Sequence, residues 1–144
     1  MPRVLVAESD PHVRHFLIAV LAAGGHEVVE AAGGAQALTA VASERPDVAV
    51  TELRLPGLTG AGLVRAALRA DPALPCLVLA GLGEREALDE ALLAGAVAVI
   101  LKPTTPVQVL CCVERALERR RLQVRDWGPE LRGAAVRFAR FAGR

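Results

Sequence analysis

The chain has 144 residues, of which 53% are hydrophobic and 23% are charged, a composition that indicates one globular domain and excludes a disordered chain. The net charge is only +1, but residues 1–114 contain eight basic and thirteen acidic side chains, whereas residues 115–144 contain nine arginines and three acids. Aromatic residues make up 3% of the chain, which argues against a surface that stacks on bases or sugars.

The cysteines and histidines indicate neither a disulfide framework nor a metal site. Cys76, Cys111 and Cys112 are an odd number, two of them adjacent, and no metal-ligand spacing of Cys or His occurs. We therefore expect reduced thiols, no bound metal and a cytoplasmic location. The longest apolar stretch is too short to cross a bilayer.

Two sequence patterns alternate along the chain. Short apolar, β-branched runs predict strands at 4–7, 27–30, 48–51, 76–80 and 97–101. Helical spacing predicts helices at 11–23, 35–44, 61–70, 84–94 and 105–122. Several strands are apolar at successive positions, which is typical of a parallel sheet covered on both faces. The order predicts a doubly wound α/β domain over residues 1–122, with a five-stranded parallel sheet.

Local signals define the ends of two segments. Asp10 is a candidate N-cap with Pro11 at the first helical position, and Gly24-Gly25 ends the first helix. Residues 123–144 predict a linker followed by a short basic amphipathic helix.

In such a sheet the functional crevice lies at the carboxyl ends of the strands. The polar or unusual residues at these positions are Glu8, Ser9, Asp10, Glu52, Arg54, Ala80, Lys102 and Pro103.

These residues, with several flanking motifs, resemble the receiver domains of bacterial response regulators over about residues 3–121. The motifs are the strand 4–7 before an acidic cluster and Pro11, Arg14, Pro46-Asp47, Leu55-Pro56-Gly57 with Gly60, Ala94-Gly95-Ala96, and Lys102-Pro103. The resemblance implies a flavodoxin-like (βα)5 fold, a role in two-component signal transduction and no enzyme activity.

The resemblance also implies a phosphorylation site that this sequence alters. A typical receiver has two acids after the first strand, an acceptor Asp after the third, a Thr or Ser after the fourth, and a Lys after the fifth. Here these positions hold Glu8 and Ser9, Glu52, Ala80 and Lys102. Val99 stands where an aromatic switch residue is usual. We expect a degenerate site that is not phosphorylated efficiently.

Several consequences follow for the crevice. Glu52 is expected to pair with Lys102, and it either mimics a phosphate in part or is simply neutralised. The Mg²⁺ that such a site usually binds is doubtful because Ser9 removes a charge. Weak Mg²⁺ binding by Glu8, Asp10 and Glu52 stays open, as does phosphorylation of Glu52 or Asp10.

The resemblance implies a protein partner, either a signalling protein or an output domain, and leaves a homodimer open. The implied interaction face combines the fourth helix, fifth strand and fifth helix. Its residues are Leu88, Ala91, Leu92, Val107, Leu110, Cys111 and Glu114. Two alternatives remain: the chain is the N-terminal fragment of a larger regulator, or its basic tail binds nucleic acid or a membrane surface in a salt-dependent manner.

Overall fold

The computed structural model describes residues 1–125, with side chains up to residue 122. Its strands are β1 (Arg3–Ala7), β2 (Glu27–Ala31), β3 (Val48–Glu52), β4 (Arg54–Leu55), β5 (Leu58–Thr59), β6 (Cys76–Ala80) and β7 (Ala98–Leu101). Its helices are α1 (Pro11–Ala23), α2 (Gly34–Glu44), α3 (Gly60–Ala70), α4 (Arg85–Ala94) and α5 (Pro106–Arg125). The predicted linker and basic helix beyond residue 125 lie outside the described residues.

Five strands form one parallel sheet in the order β2-β1-β3-β6-β7. Side chains from α1 and α5 pack on one face of this sheet, and those from α2, α3 and α4 pack on the other. This arrangement confirms the predicted doubly wound α/β fold.

The successive apolar residues of the strands are explained by two separate cores. In β1, Val4 and Val6 point into the core beneath α1 and α5, while Leu5 and Ala7 point into the core beneath the other three helices. Because alternate side chains of a strand face opposite sides, a sheet covered on both faces needs apolar residues at consecutive positions.

The ends of α1 follow the local sequence signals. The Asp10 carboxylate accepts a hydrogen bond from the His12 amide at 2.8 Å, and Pro11 opens the helix as predicted. At the other end Gly25 adopts a positive φ of 88°, a conformation that glycine reaches without strain.

Two features differ from the predicted elements. A small antiparallel hairpin, β4–β5, follows β3 and turns at Pro56-Gly57, where Gly57 has a φ of 83°. Two-residue strands are too short to produce a periodic pattern, so the sequence indicated only a loop there. The last helix, α5, runs to Arg125, three residues beyond its predicted end.

The topology fixes where a site can lie. From β1 the chain moves outward to β2, and it then returns to β3 on the other side of β1. The crevice at this change of direction opens above the carboxyl ends of β1 and β3, which is where α/β sheets bind ligands and place reactive groups.

Candidate functional site

Two glutamates meet at the carboxyl ends of β1 and β3. Ala7 lies opposite Thr51 in the parallel pair, so Glu8 and Glu52 are the next residues along each strand. Glu8 is completely buried and Glu52 is half-buried. Since neighbouring strands lie about 4.8 Å apart, the two carboxyl groups share one small crevice.

Lys102 contributes the cation of this crevice. Its Nζ lies 3.3 Å from Glu8 Oε1, and its backbone amide donates to the Ala80 carbonyl at 2.8 Å. The bond between Lys102 and Pro103 is cis. The expected ion pair between Glu52 and Lys102 is wrong: among the described residues, Lys102 pairs only with Glu8.

The Glu52 carboxylate is held by the backbone of the first loop instead. Glu52 Oε1 accepts a hydrogen bond from the Ser9 amide at 2.8 Å. The Asp10 amide donates to Glu8 Oε2 at 3.2 Å, while the Asp10 carboxylate turns away to cap α1. The backbone amides of Ser9 and Asp10 therefore each bind one glutamate carboxylate. The Asp10 carboxylate does not replace the acid missing at Ser9.

Burial and the neighbouring carboxyl raise the pKa of Glu8. Removal from water is the largest cause, followed by the hydrogen bond to the Glu52 carboxyl and then by the repulsion between the two charges. The Asp10 amide and Lys102 oppose these effects, and together the groups raise the pKa of Glu8 from 4.5 to about 7. Near neutral pH the protonated and ionised forms of Glu8 are thus both populated.

The rim of the crevice contains a second ion pair, between Arg54 and Glu84. Arg54 Nε lies 3.8 Å from Glu84 Oε2, and Glu84 Oε1 accepts from the Gly81 amide at 2.8 Å. Sequence reasoning singled out Arg54 but missed Glu84. The available signal was an acid at the start of a predicted helix, where carboxylates commonly bind free amides. Nearby, Ala80 is buried and offers no hydroxyl to the crevice.

Arg14 supports the first loop from α1. Its Nη1 donates to the Glu8 carbonyl at 2.9 Å, and its Nε lies 3.6 Å from Glu30 Oε2 on β2. This cation acts on the main chain of the loop, so it orients Glu8 without neutralising the carboxyl group.

The acids present do not fit Mg²⁺. Glu8 Oε1 faces an ammonium group at 3.3 Å, its Oε2 accepts a backbone amide, and Glu52 Oε1 accepts another. Mg²⁺ requires near-octahedral oxygen ligands, but three of the four oxygens of these glutamates already have the partners named, and Ser9 supplies no further carboxylate. Within the described part of the chain no group of three His, Cys, Asp or Glu is arranged to hold a metal.

The remaining candidate residues are partly core and partly surface. Val99 is half-buried and packs against the core beneath α4. On the expected interaction face, Ala91 is completely buried, and Leu88, Leu92 and Leu110 pack against the cores, whereas Val107, Cys111 and Glu114 are exposed. The predicted interaction face did not include three exposed apolar residues in this region, Leu93 on α4, Val97 in the turn and Leu101 on β7.

Comparison with known proteins identifies the class that this fold and crevice define. Residues 4–114 match the response regulator receiver domain family, and the chain belongs to that family. It is therefore a receiver domain of two-component signalling. None of the helices described has the length and hydrophobicity that a bilayer-spanning segment requires.

Three relatives illustrate the similarity. The chain is 34% identical to the DNA-binding response regulator MtrA of Mycolicibacterium smegmatis over 117 residues, which are 81% of this chain and 51% of MtrA. The NtrX receiver domain from Brucella abortus superposes with a TM-score of 0.75 at 29% identity, covering 80% of this chain and 98% of that one. A response regulator receiver domain protein from Methanospirillum hungatei gives a TM-score of 0.81 at 25% identity, with 85% and 98% covered. The chain thus spans about half the length of MtrA.

Proposed function

We propose that this receiver domain acts through protein contacts and does not accept a phosphoryl group. The observation that carries the proposal is the closed network of the crevice, in which Lys102 pairs with Glu8 and Glu52 binds the Ser9 amide. The side chains at the positions that would bind or accept a phosphoryl group are therefore already engaged, Lys102 with Glu8 and Glu52 with the main chain.

The acceptor position is the main chemical reason. By its resemblance to receivers, this chain places Glu52 where an Asp normally attacks the phosphorus. Glutamate is one methylene longer, and a misplacement of about 1 Å can reduce such a reaction roughly a hundredfold. Phosphoryl transfer depends on positioning and charge neutralisation, so an acceptor held by a backbone amide is poorly suited to it.

Two further substitutions act in the same direction. Ser9 supplies no charge where a second acid would help to hold Mg²⁺, and the methyl group of Ala80 replaces the hydroxyl that would bind a phosphoryl oxygen. Partial mimicry of a phosphate by Glu52 is the weaker alternative. A carboxylate carries one negative charge against roughly two for a phosphate, and Val99 lacks the aromatic ring of the usual relay.

The protein contacts are proposed for the surface formed by α4, β7 and the start of α5, called here the α4–β7–α5 face. Its exposed apolar residues include Leu93, Leu101 and Val107, whose exposed fractions are 71%, 66% and 69%. These residues lie on three consecutive elements at the β7 edge of the sheet, and apolar exposure gathered in one region of a surface is typical of a contact site. On α4 the exposed charges are Arg85, Glu86, Asp89 and Glu90, and on α5 they include Glu114, Arg115, Glu118 and Arg119. Over their full lengths α4 is net acidic and α5 is net basic.

The opposite charges of the two helices favour a second copy as the first partner to test. A two-fold axis along this face sets α4 of one copy against α5 of the other, which brings acids opposite arginines in both halves of the contact. Signalling proteins and output domains are the other candidates.

A second candidate function is control of an attached output domain. The chain spans about half of MtrA, whose name describes it as DNA-binding, and this length difference favours a longer regulator. Reading the gene beyond codon 144, with the intact mass of the native protein, tests this candidate. A stop codon there and a native mass of 15.1 kDa would contradict it.

The test of phosphorylation is intact-mass spectrometry after incubation with acetyl phosphate and Mg²⁺. We compare the wild type with a restored variant that carries Ser9→Asp, Glu52→Asp and Ala80→Thr. A third protein carries Ser9→Asp and Ala80→Thr with Glu52→Ala, so that it lacks the acceptor. A phosphorylation-competent receiver in the same mixture confirms that the donor is active. We expect no phosphoryl group on the wild type and one on the restored variant that depends on residue 52. Labelling of the wild type would overturn the proposal.

A further inference from the structure

The outer face of α2 carries no charged side chain between residues 34 and 43. Its exposed residues are Ala35, Gln36, Leu38, Thr39, Ala42 and Ser43. Thr39 and Ser43 donate their hydroxyl groups to carbonyls one turn earlier, at 3.1 and 2.9 Å, and Gln36 Oε1 accepts from the Ala32 amide at 2.7 Å. Around Leu38, which is 38% exposed, α2 therefore presents a neutral surface whose removal from water costs little.

The neighbouring helix α3 supplies positive charge beside this neutral surface. Leu58 of β5 lies between Gly34 at the start of α2 and Gly62 in the first turn of α3, so the two helices begin on either side of the same hairpin. The exposed charged side chains of α3 are Arg65 and Arg69, which are about 6 Å apart along the helix axis. Side chains four residues apart lie on one face of a helix, so both arginines belong to one stripe.

No acid within the part of the chain whose side chains are described forms an ion pair with Arg65 or Arg69. At the ends of the two helices, Glu44 pairs with Arg3 at 3.7 Å, and Asp71 pairs with Arg120 at 2.9 Å. These acids are therefore engaged by other arginines. The positive charge of Arg65 and Arg69 is available to carboxylate groups of another molecule.

We propose that the surface formed by α2 and α3, called here the α2–α3 face, docks an acidic amphipathic helix of a protein partner. The apolar side of that helix lies on α2 around Leu38, and two of its carboxylates, one turn apart, bind Arg65 and Arg69. Arginine can bind a carboxylate through two parallel hydrogen bonds, so these contacts add direction to the charge complementarity.

The chemistry of α2 selects a helix over other anionic partners. Arginines one turn apart would also suit the phosphates of a nucleic acid, but a phosphate backbone has no apolar side to cover Leu38, and α2 offers it no cation between residues 34 and 43. An amphipathic helix meets both requirements, because its apolar stripe and its carboxylates lie on adjacent sides.

The α2–α3 face is separate from the contact surface proposed above. In the sheet order β2-β1-β3-β6-β7, α2 packs over β2 and β1, whereas the α4–β7–α5 face lies at the β7 edge. The two surfaces share no residue. The inference therefore goes beyond the proposed function and does not depend on it.

The test is an amide NMR titration of the full chain with a synthetic helical peptide that has leucines on one side and glutamates one turn apart on the other. A matched peptide with lysine in place of every glutamate is the control. We expect the glutamate peptide to shift the signals of Leu38, Ala42, Arg65 and Arg69, and the lysine peptide to leave them unchanged. No shift on α2 and α3 at about 1 mM glutamate peptide, which half-saturates even a millimolar site, would overturn the proposal. Equal shifts from the two peptides would also contradict it.

Charge reversal tests the two arginines through the affinity for the same peptides. Arg65→Glu and Arg69→Glu should each weaken binding of the glutamate peptide about tenfold, and the double variant should bind the lysine peptide instead. Leu38→Glu should weaken binding as well, because it places a charge in the apolar part of the contact. Arg115→Glu, at an exposed arginine on α5, should leave the affinity unchanged. A double variant that is folded by its amide spectrum and binds neither peptide would count against the proposed ion pairs. The comparison of the two peptides on the wild type needs no variant to fold.

Two measurements distinguish the other possible occupants of the α2–α3 face. The first replaces the peptide by a labelled DNA duplex, and the second measures sedimentation of Arg65→Glu beside the wild type. Binding of the duplex through Arg65 and Arg69 in preference to the glutamate peptide would assign the face to a nucleic acid. A wild-type dimer weakened by Arg65→Glu would assign it to a second copy. Either result would rule out the acidic helix as its partner.

Discussion

At the scale of single residues, the buried Glu8 carboxyl should make the stability of the domain depend on pH. Its pKa is about 7 in the folded chain and 4.5 as the ordinary value, so the folded state binds the proton more tightly. The stabilisation from protonated Glu8 is complete below pH 4.5 and is lost as the pH rises through 7. One proton corresponds to a slope of at most about 1.4 kcal/mol per pH unit.

Urea unfolding between pH 4.5 and 8 measures this effect. The free energy of unfolding of the wild type, relative to that of Glu8→Gln, should fall across the window and level off above it. Exposed Glu86 provides the matched control, because Glu86→Gln should run parallel to the wild type. Parallel curves for Glu8→Gln and the wild type would show that Glu8 titrates normally.

His26 is a second buried polar residue, and we expect it to destabilise the fold. It is 7% exposed, and neither ring nitrogen has a hydrogen-bond partner. A buried polar group without a partner costs about 1–3 kcal/mol. His26→Phe should therefore raise the free energy of unfolding by about 1 kcal/mol, measured in urea, whereas exposed His15→Phe should not. A loss of stability in His26→Phe would mean that the imidazole is satisfied after all.

Residue-level chemistry was only partly predictable from the sequence. The strand order placed Glu8, Glu52 and Lys102 in one crevice, because the carboxyl ends of parallel strands meet at one edge. The strand order alone does not determine which glutamate contacts Lys102, and the predicted partner, Glu52, was wrong. The pairing depends on side-chain rotamers and on the amides of Ser9 and Asp10. Complete burial of Glu8, which sets its pKa, is likewise a property of the packed loop.

At the scale of elements, two glycines of α3 should respond oppositely to the same substitution. A Cβ on Gly60 would lie 2.7 Å from the Glu52 carbonyl oxygen and 3.0 Å from Leu53 Cα, and these backbone atoms cannot move without displacing β3. On Gly62 the nearest atom would be the terminal Cδ1 of Leu58, at the end of a flexible side chain.

Gly60→Ala should therefore lower the free energy of unfolding by about 2 kcal/mol, the usual cost of overpacking. Gly62→Ala should change it little or raise it by up to about 1 kcal/mol, because alanine favours the helix more than glycine does. Thermal and urea unfolding of both variants measure the difference. Equal effects of the two substitutions would show that the start of α3 is not seated on β3 as described.

The helices and long strands were predicted well because each has a periodic pattern or a clear boundary signal. Asp10 and Gly24-Gly25 marked the limits of α1, and its bounds agree with the prediction. The β4–β5 hairpin has two residues on each side and no period, so only its Pro56-Gly57 turn was visible. Elements of that length are defined by the tertiary fold.

At the scale of the whole molecule, the α4–β7–α5 face should mediate self-association. Leu101 and Val107 on this face are about two-thirds exposed, and α4 and α5 carry net charges of opposite sign. The apolar part was only partly predicted: the family resemblance implied Leu88, Ala91 and Leu92, but these residues pack inward against the core. Periodicity identifies the buried stripe of a helix, whereas the contact surface consists of residues outside that stripe.

Sedimentation analysis over a range of concentrations tests this prediction in the full chain. Leu101→Glu should weaken the dimer about tenfold or more, because it places a charge in an apolar contact, and Val107→Glu should have the same effect. Leu38→Glu provides the control, since Leu38 is an exposed leucine on α2, away from this face. A dimer held by apolar contacts should persist at moderate salt. A dimer held only by the charges of α4 and α5 should dissociate, because salt screens those charges. A wild-type chain that stays monomeric would contradict self-association. A dimer whose dissociation constant is unchanged by Leu101→Glu would show that a different face forms the contact.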